Sequence, residues 1–173
     1  APYVNAIQTS MSGDTLFVGG NFGSVAGSPR VNLAAIDAVA STLLPSWICD
    51  GYSGANYIAT TLLRHGPALY VGIPRVDGET LDNGLRMVRA NTGLVADWDP
   101  LIPDIPVQSL NRSGDLLFAM GRFQMVGGLT RRHIAVWSGL SALETSIVTS
   151  VQELPTESLS IQPNPATEQA TLH

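Results

Sequence analysis

A chain of 173 residues, 45% apolar and only 13% charged, has the length and apolar content for one ordinary domain with a sizeable core, which excludes a disordered polypeptide. The formal net charge is −5, and the nine basic residues are all arginine, with only Arg131 and Arg132 adjacent; a phosphate-backbone surface, and with it a nucleic-acid partner, is excluded. No run approaches the roughly 18 apolar residues of a membrane-spanning helix, and a lone cysteine, Cys49, excludes an internal disulfide.

The opening Ala1-Pro2-Tyr3-Val4 is strand-like and has neither a basic n-region nor an apolar h-region, so any export signal is expected to have been removed or to lie upstream. An extended segment over Tyr3–Ile7 leads to the turn Ser12-Gly13-Asp14. A strand over Leu16–Gly19 follows, then a polar connection with glycines, a third strand over Leu33–Asp37 and a fourth element over Leu43–Trp47. Cys49, beside Trp47 and Ile48, reads as a buried apolar filler. The order then recurs: extended Tyr57–Leu63, turn His65-Gly66-Pro67, strands Leu69–Gly72 and Leu85–Arg89, and a fourth element Leu94–Trp98. A third pass runs from Ile105–Leu110 through Ser113-Gly114-Asp115 to Leu117–Met120 and Ile134–Trp137. The second strands are continuously apolar, which suits a strand covered on both faces. Leu140–Val151 fits either a helix or a closing strand.

The recurrence is visible in the residues themselves. Ser12–Ile36 returns 101 residues later as Ser113–Trp137, with eleven of 25 paired positions identical. A degraded copy lies midway, in which Gly66, Leu69-Tyr70-Val71-Gly72, Val76 and Gly78 answer Gly13, Leu16-Phe17-Val18-Gly19, Val25 and Gly27. Two periods in 101 residues give a unit of about fifty, within the range of β-propeller blades. The expected fold is therefore all-β: about three four-stranded antiparallel blades over residues 1–52, 53–103 and 104–151, belonging to a larger or partner-completed propeller. Gly20 and Gly121 are expected at a bulge or a positive φ, Gly27 and Gly128 in the turn beyond, Phe22 and Phe123 as plugs between blades, and Arg30 and Arg131 as scaffold arginines that tie down turn carbonyls or pair with an acid of the adjacent blade.

The string Leu16-Phe17-Val18-Gly19-Gly20-Asn21-Phe22, running on to Asp37, resembles the bacterial delta-60 type β-propeller repeat, with a family-like ending at Thr92-Gly93-Leu94-Val95-Ala96-Asp97-Trp98-Asp99-Pro100. The likeness covers about residues 3–138; the second unit departs from it by dropping the Gly-Asn-Phe element at Gly72-Ile73-Pro74. Leu159-Ser160-Ile161-Gln162-Pro163-Asn164-Pro165-Ala166 is similar to the opening of a type IX secretion C-terminal sorting domain. That resemblance implies a secreted or outer-membrane surface protein of a Gram-negative bacterium, with residues 152–173 a linker and the start of a truncated sorting domain. Pro163, Asn164 and Pro165 are its signal-like residues.

Catalytic, cofactor and metal sites have no sequence support. His65, His133 and His173 stand apart without ligand spacing, and Asp97, Asp99 and Asp104 lack an alternating calcium-loop pattern. No nucleophile elbow or phosphate loop is present. Asp14 and Asp115 follow glycine in turns, where local hydrogen bonding is expected. Trp137, which replaces Ile36 of the first copy, is the one aromatic read as a candidate to face a ligand. The preferred expectation is a non-enzymatic interaction or scaffold module, adhesin-like, with cell-surface protein or glycan as partner, further blades or another chain completing the ring, and the type IX machinery engaging its C-terminal region. The alternative is the propeller part of a secreted glycan-active hydrolase or lyase whose catalytic residues lie outside this segment.

Overall fold

The computed structural model describes residues 1–49, 58–73, 84–98 and 106–147, together with the backbone pairing of 160–161 and 170–171. In chain order the first copy forms β1 (Tyr3–Thr9), β2 (Thr15–Asn21), the small hairpin of β3 (Ser24–Val25) and β4 (Ser28–Pro29), then β5 (Leu33–Asp37) and β6 (Thr42–Leu43). These build a four-stranded antiparallel sheet of order β1-β2-β5-β6. The second copy gives β7 (Thr61–His65), β8 (Ala68–Ile73) and β9 (Gly84–Arg89) as a three-stranded sheet. The third gives β10 (Val107–Ser113), β11 (Leu116–Gly121), the hairpin of β12 (Met125–Val126) and β13 (Leu129–Thr130), then β14 (Ile134–Trp137). A short helix, α1 (Leu140–Ser146), and the two-residue strands β15 (Ser160–Ile161) and β16 (Ala170–Thr171) follow. The chain is thus built of small antiparallel sheets with one short helix among the described residues.

Two expectations need correction. The fourth element of the second copy is not a strand: beside β9 there is only the isolated bridge Val88–Val95. Among the described residues the contact is limited to the Arg89 N–H donating to the Leu94 carbonyl at 2.8 Å and the Ala96 N–H to the Met87 carbonyl at 2.9 Å. In the third copy the slot next to β14 is filled from far downstream, by Ser160–Ile161, with Trp137 opposite Ile161. Residues 160–161, within the stretch 152–173 expected as a linker and the start of a sorting domain, are thus paired with the third sheet. Between them, Leu140–Ser146 takes the helical alternative, because Leu140, Leu143 and Ile147 fall on one face at helical spacing and pack into the core.

The middle sheet lies between the other two. Its Leu69 and Val71 join Phe17 and Ala35 of the first sheet in one apolar cluster, while Tyr70 and Met87 on the opposite face join Leu117 and Ala119 of the third. That is why all of β8 is buried rather than alternating. The first strands of the sheets run side by side, β7 lying against both β1 and β10. Equivalent bonds stitch them: Asn5 Nδ2 donates to the Ala59 carbonyl at 2.9 Å and Thr60 Oγ1 to the Val107 carbonyl at 2.6 Å. Asn5 precedes the residue opposite Gly19, and Thr60 precedes the residue opposite Gly72, so donors and acceptors sit at matching register.

The same matching extends to irregular backbone. β1 carries a bulge between Val4 and Ala6, and β10 one between Val107 and Ser109. The bulge therefore lies on the partner strand, across from Gly20 and Gly121, and not at those glycines. A Cβ on Gly121 would stand 2.6 Å from the Pro106 carbonyl, and one on Gly20 would stand 2.8 Å from Val4 Cα, so only glycine fits against the bulged strand. In the small hairpins Ala26 and Gly27 have φ of 47° and 79°, and Gly127 and Gly128 have 55° and 79°, the tight two-residue geometry that needs positive φ at both positions. Ala26 is the exposed non-glycine in that pair. Substituting Ala26→Gly is expected to stabilise the fold by about 0.5–1 kcal/mol, read by urea denaturation, because relief of left-handed strain exceeds the entropy glycine adds.

Candidate functional site

The chemistry-bearing side chains that the fold brings together lie where the second and third sheets meet α1. His65 ends β7, Tyr70 is within β8, Arg112 is near the end of β10, and Glu144 sits on the core-facing side of α1. Glu144 Oε1 accepts from the Tyr70 hydroxyl at 2.5 Å and pairs with Arg112 Nη1 at 3.0 Å. Its Oε2 lies 2.9 Å from His65 Nδ1. A carboxylate only accepts, so this contact assigns the proton to Nδ1. Arg112 also reaches Ser141 Oγ at 3.2 Å and lies 3.8 Å from Asp115. The side chains of Arg112 and Glu144 are 3% and 6% exposed, whereas His65 is 47% exposed and forms the wet edge of the cluster.

Two shifts follow from this geometry. Burial, and then the hydrogen bond and charge of Glu144, push the Tyr70 phenol far above its ordinary value, so it serves as a donor throughout the working pH range. For Asp115, burial alone raises the pKa, but hydrogen bonds from Ser141 and Gly139 outweigh it and hold the carboxyl below the usual carboxylate value. Its oxygens accept from the backbone N–H groups of Gly139 and Ser141, both at 2.7 Å, which ties the start of α1 to the β10–β11 turn. A carboxylate with a depressed folded pKa contributes stability above its unfolded value, and the contribution is lost as pH falls through the folded one. Acid titration of the unfolding free energy should therefore show a falling limb below about pH 4, part of which Asp115→Asn abolishes.

What can this arrangement do? Every Glu144 oxygen already accepts from a protein donor, and the Tyr70 hydroxyl donates inward. The carboxylate thus joins α1 to β7, β8 and β10 through His65, Tyr70 and Arg112, so the cluster acts as a strut that fixes α1 across two sheets. Among the described residues no group of three or more His, Cys, Asp or Glu side chains is placed to hold a metal ion.

The residues singled out in the sequence are placed as follows. Phe123 is buried in the cluster shared by the second and third sheets, and Phe22 lies at the equivalent place on the outer face of the first sheet, with Val18 and Ala34. Their surroundings correspond: Gly20 N–H donates to the Asn32 carbonyl at 2.9 Å and Gly121 N–H to the His133 carbonyl at 3.0 Å. Asn32 and His133 in turn donate to the carbonyls of Phe22 and Phe123. Asn32 and His133 share a positive φ, 61° and 70°. Arg30 donates to the Pro29 and Pro45 carbonyls, and Arg131 to that of Thr130. Gly27 and Gly128 occupy the hairpin tips with open space around them. Cys49 is buried. Asp14 bonds locally, accepting from Ser10 and Thr15, whereas Asp115 reaches across to α1. Trp137 is a correction: it is buried at the seam between the second and third sheets, faces no ligand space, and belongs to the core. Pro163, Asn164 and Pro165, with Asp99 and Asp104, lie outside the described residues.

Sequence reasoning missed the Tyr70–Arg112–Glu144 set because only part of it is repeated. Arg112 is opposite Leu117 as Arg64 is opposite Leu69, and Tyr70 answers Phe17, so the hydroxyl and the carboxylate are the unrepeated parts. One signal was available: in Leu140-Ser141-Ala142-Leu143-Glu144-Thr145-Ser146-Ile147, helical spacing sets Glu144 on the apolar stripe. A scan against protein-family models and a search of curated proteins find no match to this chain.

Proposed function

We propose that this chain is a β-propeller repeat protein of the delta-60 type, secreted or held at the outer surface of a Gram-negative bacterium, where it serves as a non-enzymatic interaction or scaffold module for protein or glycan partners. One observation carries the reading. Face-to-face stacking of successive sheets is repeated with the same register, the same strand-to-strand bonds and the same aromatic pairing. In the first sheet Phe17 packs on Trp47 with ring centroids 5.7 Å apart, and in the second Tyr70 packs on Trp98 at 5.5 Å. A residue set spent on stacking copies leaves loops and sheet ends as the surface for partners. The sorting-like Pro163-Asn164-Pro165 run supports export by the type IX route, and it lies outside the described residues.

Two measurements test the reading. Protease shaving of intact source cells should remove the protein, and a purely intracellular location overturns the surface assignment. A panel of surface glycans and proteins incubated with the purified chain should show binding without turnover. Cleavage of any glycan that tracks with the purified chain overturns the non-enzymatic part in favour of the hydrolase or lyase alternative.

A further inference from the structure

The outer face of the first sheet is built like faces that are buried elsewhere in the same chain. Register aligns Val4 with Ala59 and Val107, and Ile7 with Leu62 and Leu110. Ala59 and Val107 are fully buried and Leu62 and Leu110 nearly so, each beneath the preceding sheet, whereas Val4 is 56% and Ile7 59% exposed. Around Val4, the side chains of Tyr3, Val18, Phe22, Val25 and Ile36 line an apolar groove of about 320 Å³. At the far end of the stack the third sheet presents Phe118, Met120, Ile134 and Val136. These align with Phe17, Gly19, Leu33 and Ala35, the first-sheet residues on the side that holds the second sheet. The two end faces therefore correspond to the two halves of a contact that the chain makes twice internally, except that Met120 stands where both internal contacts have a glycine, Gly19 and Gly72. On the first sheet Val18, Phe22 and Ala34 are buried while Val4 and Ile7 stay open, and on the third sheet Met120 is the exposed member.

We infer that a second copy of this chain is the occupant: two copies associate head to tail, the first sheet of each seated on the third sheet of the other. This rests on the repeat-stacking reading above. A contact of unlike faces made twice about a two-fold axis closes on itself and leaves no apolar end. Met120 sets its character. Gly19 lets the next first strand come so close that a Cβ there would be 2.8 Å from Ala59 Cβ, while the aligned Met120 is 40% exposed and fills that space. The contact between copies is accordingly wider than the internal ones and dissociable, with a flexible thioether against Val4 of the other copy.

Sedimentation velocity of the whole chain at micromolar concentration should give twice the 18.3 kDa of one chain, in exchange with monomer. Val4→Asp should weaken the dimer about tenfold or more. In a Cys49→Ala background, a Val4→Cys protein mixed with a Met120→Cys protein should form a disulfide-linked pair under mild oxidation, and neither should do so alone. Linkage of Val4→Cys to itself means like-to-like contact and overturns the head-to-tail arrangement. A monomer at every concentration overturns the second copy as occupant and leaves the face to a further repeat unit or to a different protein. Val107→Asp separates this from the underlying reading, since it buries a charge at the internal equivalent and should abolish folding. If Val107→Asp folds as well as Val4→Asp, the stacking reading itself fails.

Discussion

Replacing Glu144 with glutamine is expected to destabilise the protein by about 3–5 kcal/mol, because it strips from a buried arginine the closer and more buried of its two counter-charges among the described residues. Arg112 is 3% exposed, and its other acidic neighbour, Asp115, is 3.8 Å away and half in solvent. The amide keeps the shape of the carboxylate, so little of the loss comes from packing. It also turns an amide N–H₂ toward donors that had been accepted by oxygen. Chemical denaturation gives the magnitude, and hydrogen exchange shows where it acts: α1 should lose protection first, since Glu144 is what ties it to β7, β8 and β10. The double change Arg112→Met with Glu144→Leu provides the control. Removing both charges and filling the space with apolar atoms should recover most of the loss. A Glu144→Gln cost below about 1 kcal/mol would mean that Arg112 finds water or Asp115 instead, and the strut assignment would be withdrawn.

Trp137→Ala should cost a similar amount, about 3–5 kcal/mol, through the cavity left between the second and third sheets. Trp137 is among the largest fully buried side chains, and its indole Nε1 has no hydrogen-bond partner among the described residues. Trp137→Phe should therefore cost much less, below about 1.5 kcal/mol, since apolar volume is largely kept and no hydrogen bond is lost. Near-UV circular dichroism with urea unfolding of the two variants separates these outcomes. A ligand-facing tryptophan would give the opposite pattern, with stability spared in both variants, so a small Trp137→Ala effect contradicts the burial described here.

The fold was most legible where the chain repeats. Ser12–Ile36 and Ser113–Trp137 align strand for strand, down to the hairpin tips at Gly27 and Gly128 and the left-handed residues Asn32 and His133. Repetition cannot foretell what happens once per chain. The helix at Leu140–Ser146 competes with a strand because Thr145, Ile147 and Val148 favour extended backbone locally, and only docking of Leu140 and Leu143 between sheets decides it. The bulges at Asn5 and Gln108 were misplaced by one strand, since a glycine signals that something approaches closely but not from which side. Trp137 was misread for a related reason. A large aromatic in place of Ile36 suggests an exposed platform when the neighbouring surface is unknown. On the third sheet that position is instead covered by the second sheet.

Borrowing Ser160–Ile161 as the neighbour of β14 has a practical cost for anyone trimming this protein. A boundary drawn at residue 151, where the repeats end by sequence, removes the rung that Trp137 shares with Ile161. The shortened product would leave the outer edge of β14 unpaired at Trp137, extending an open strand edge that invites intermolecular zippering.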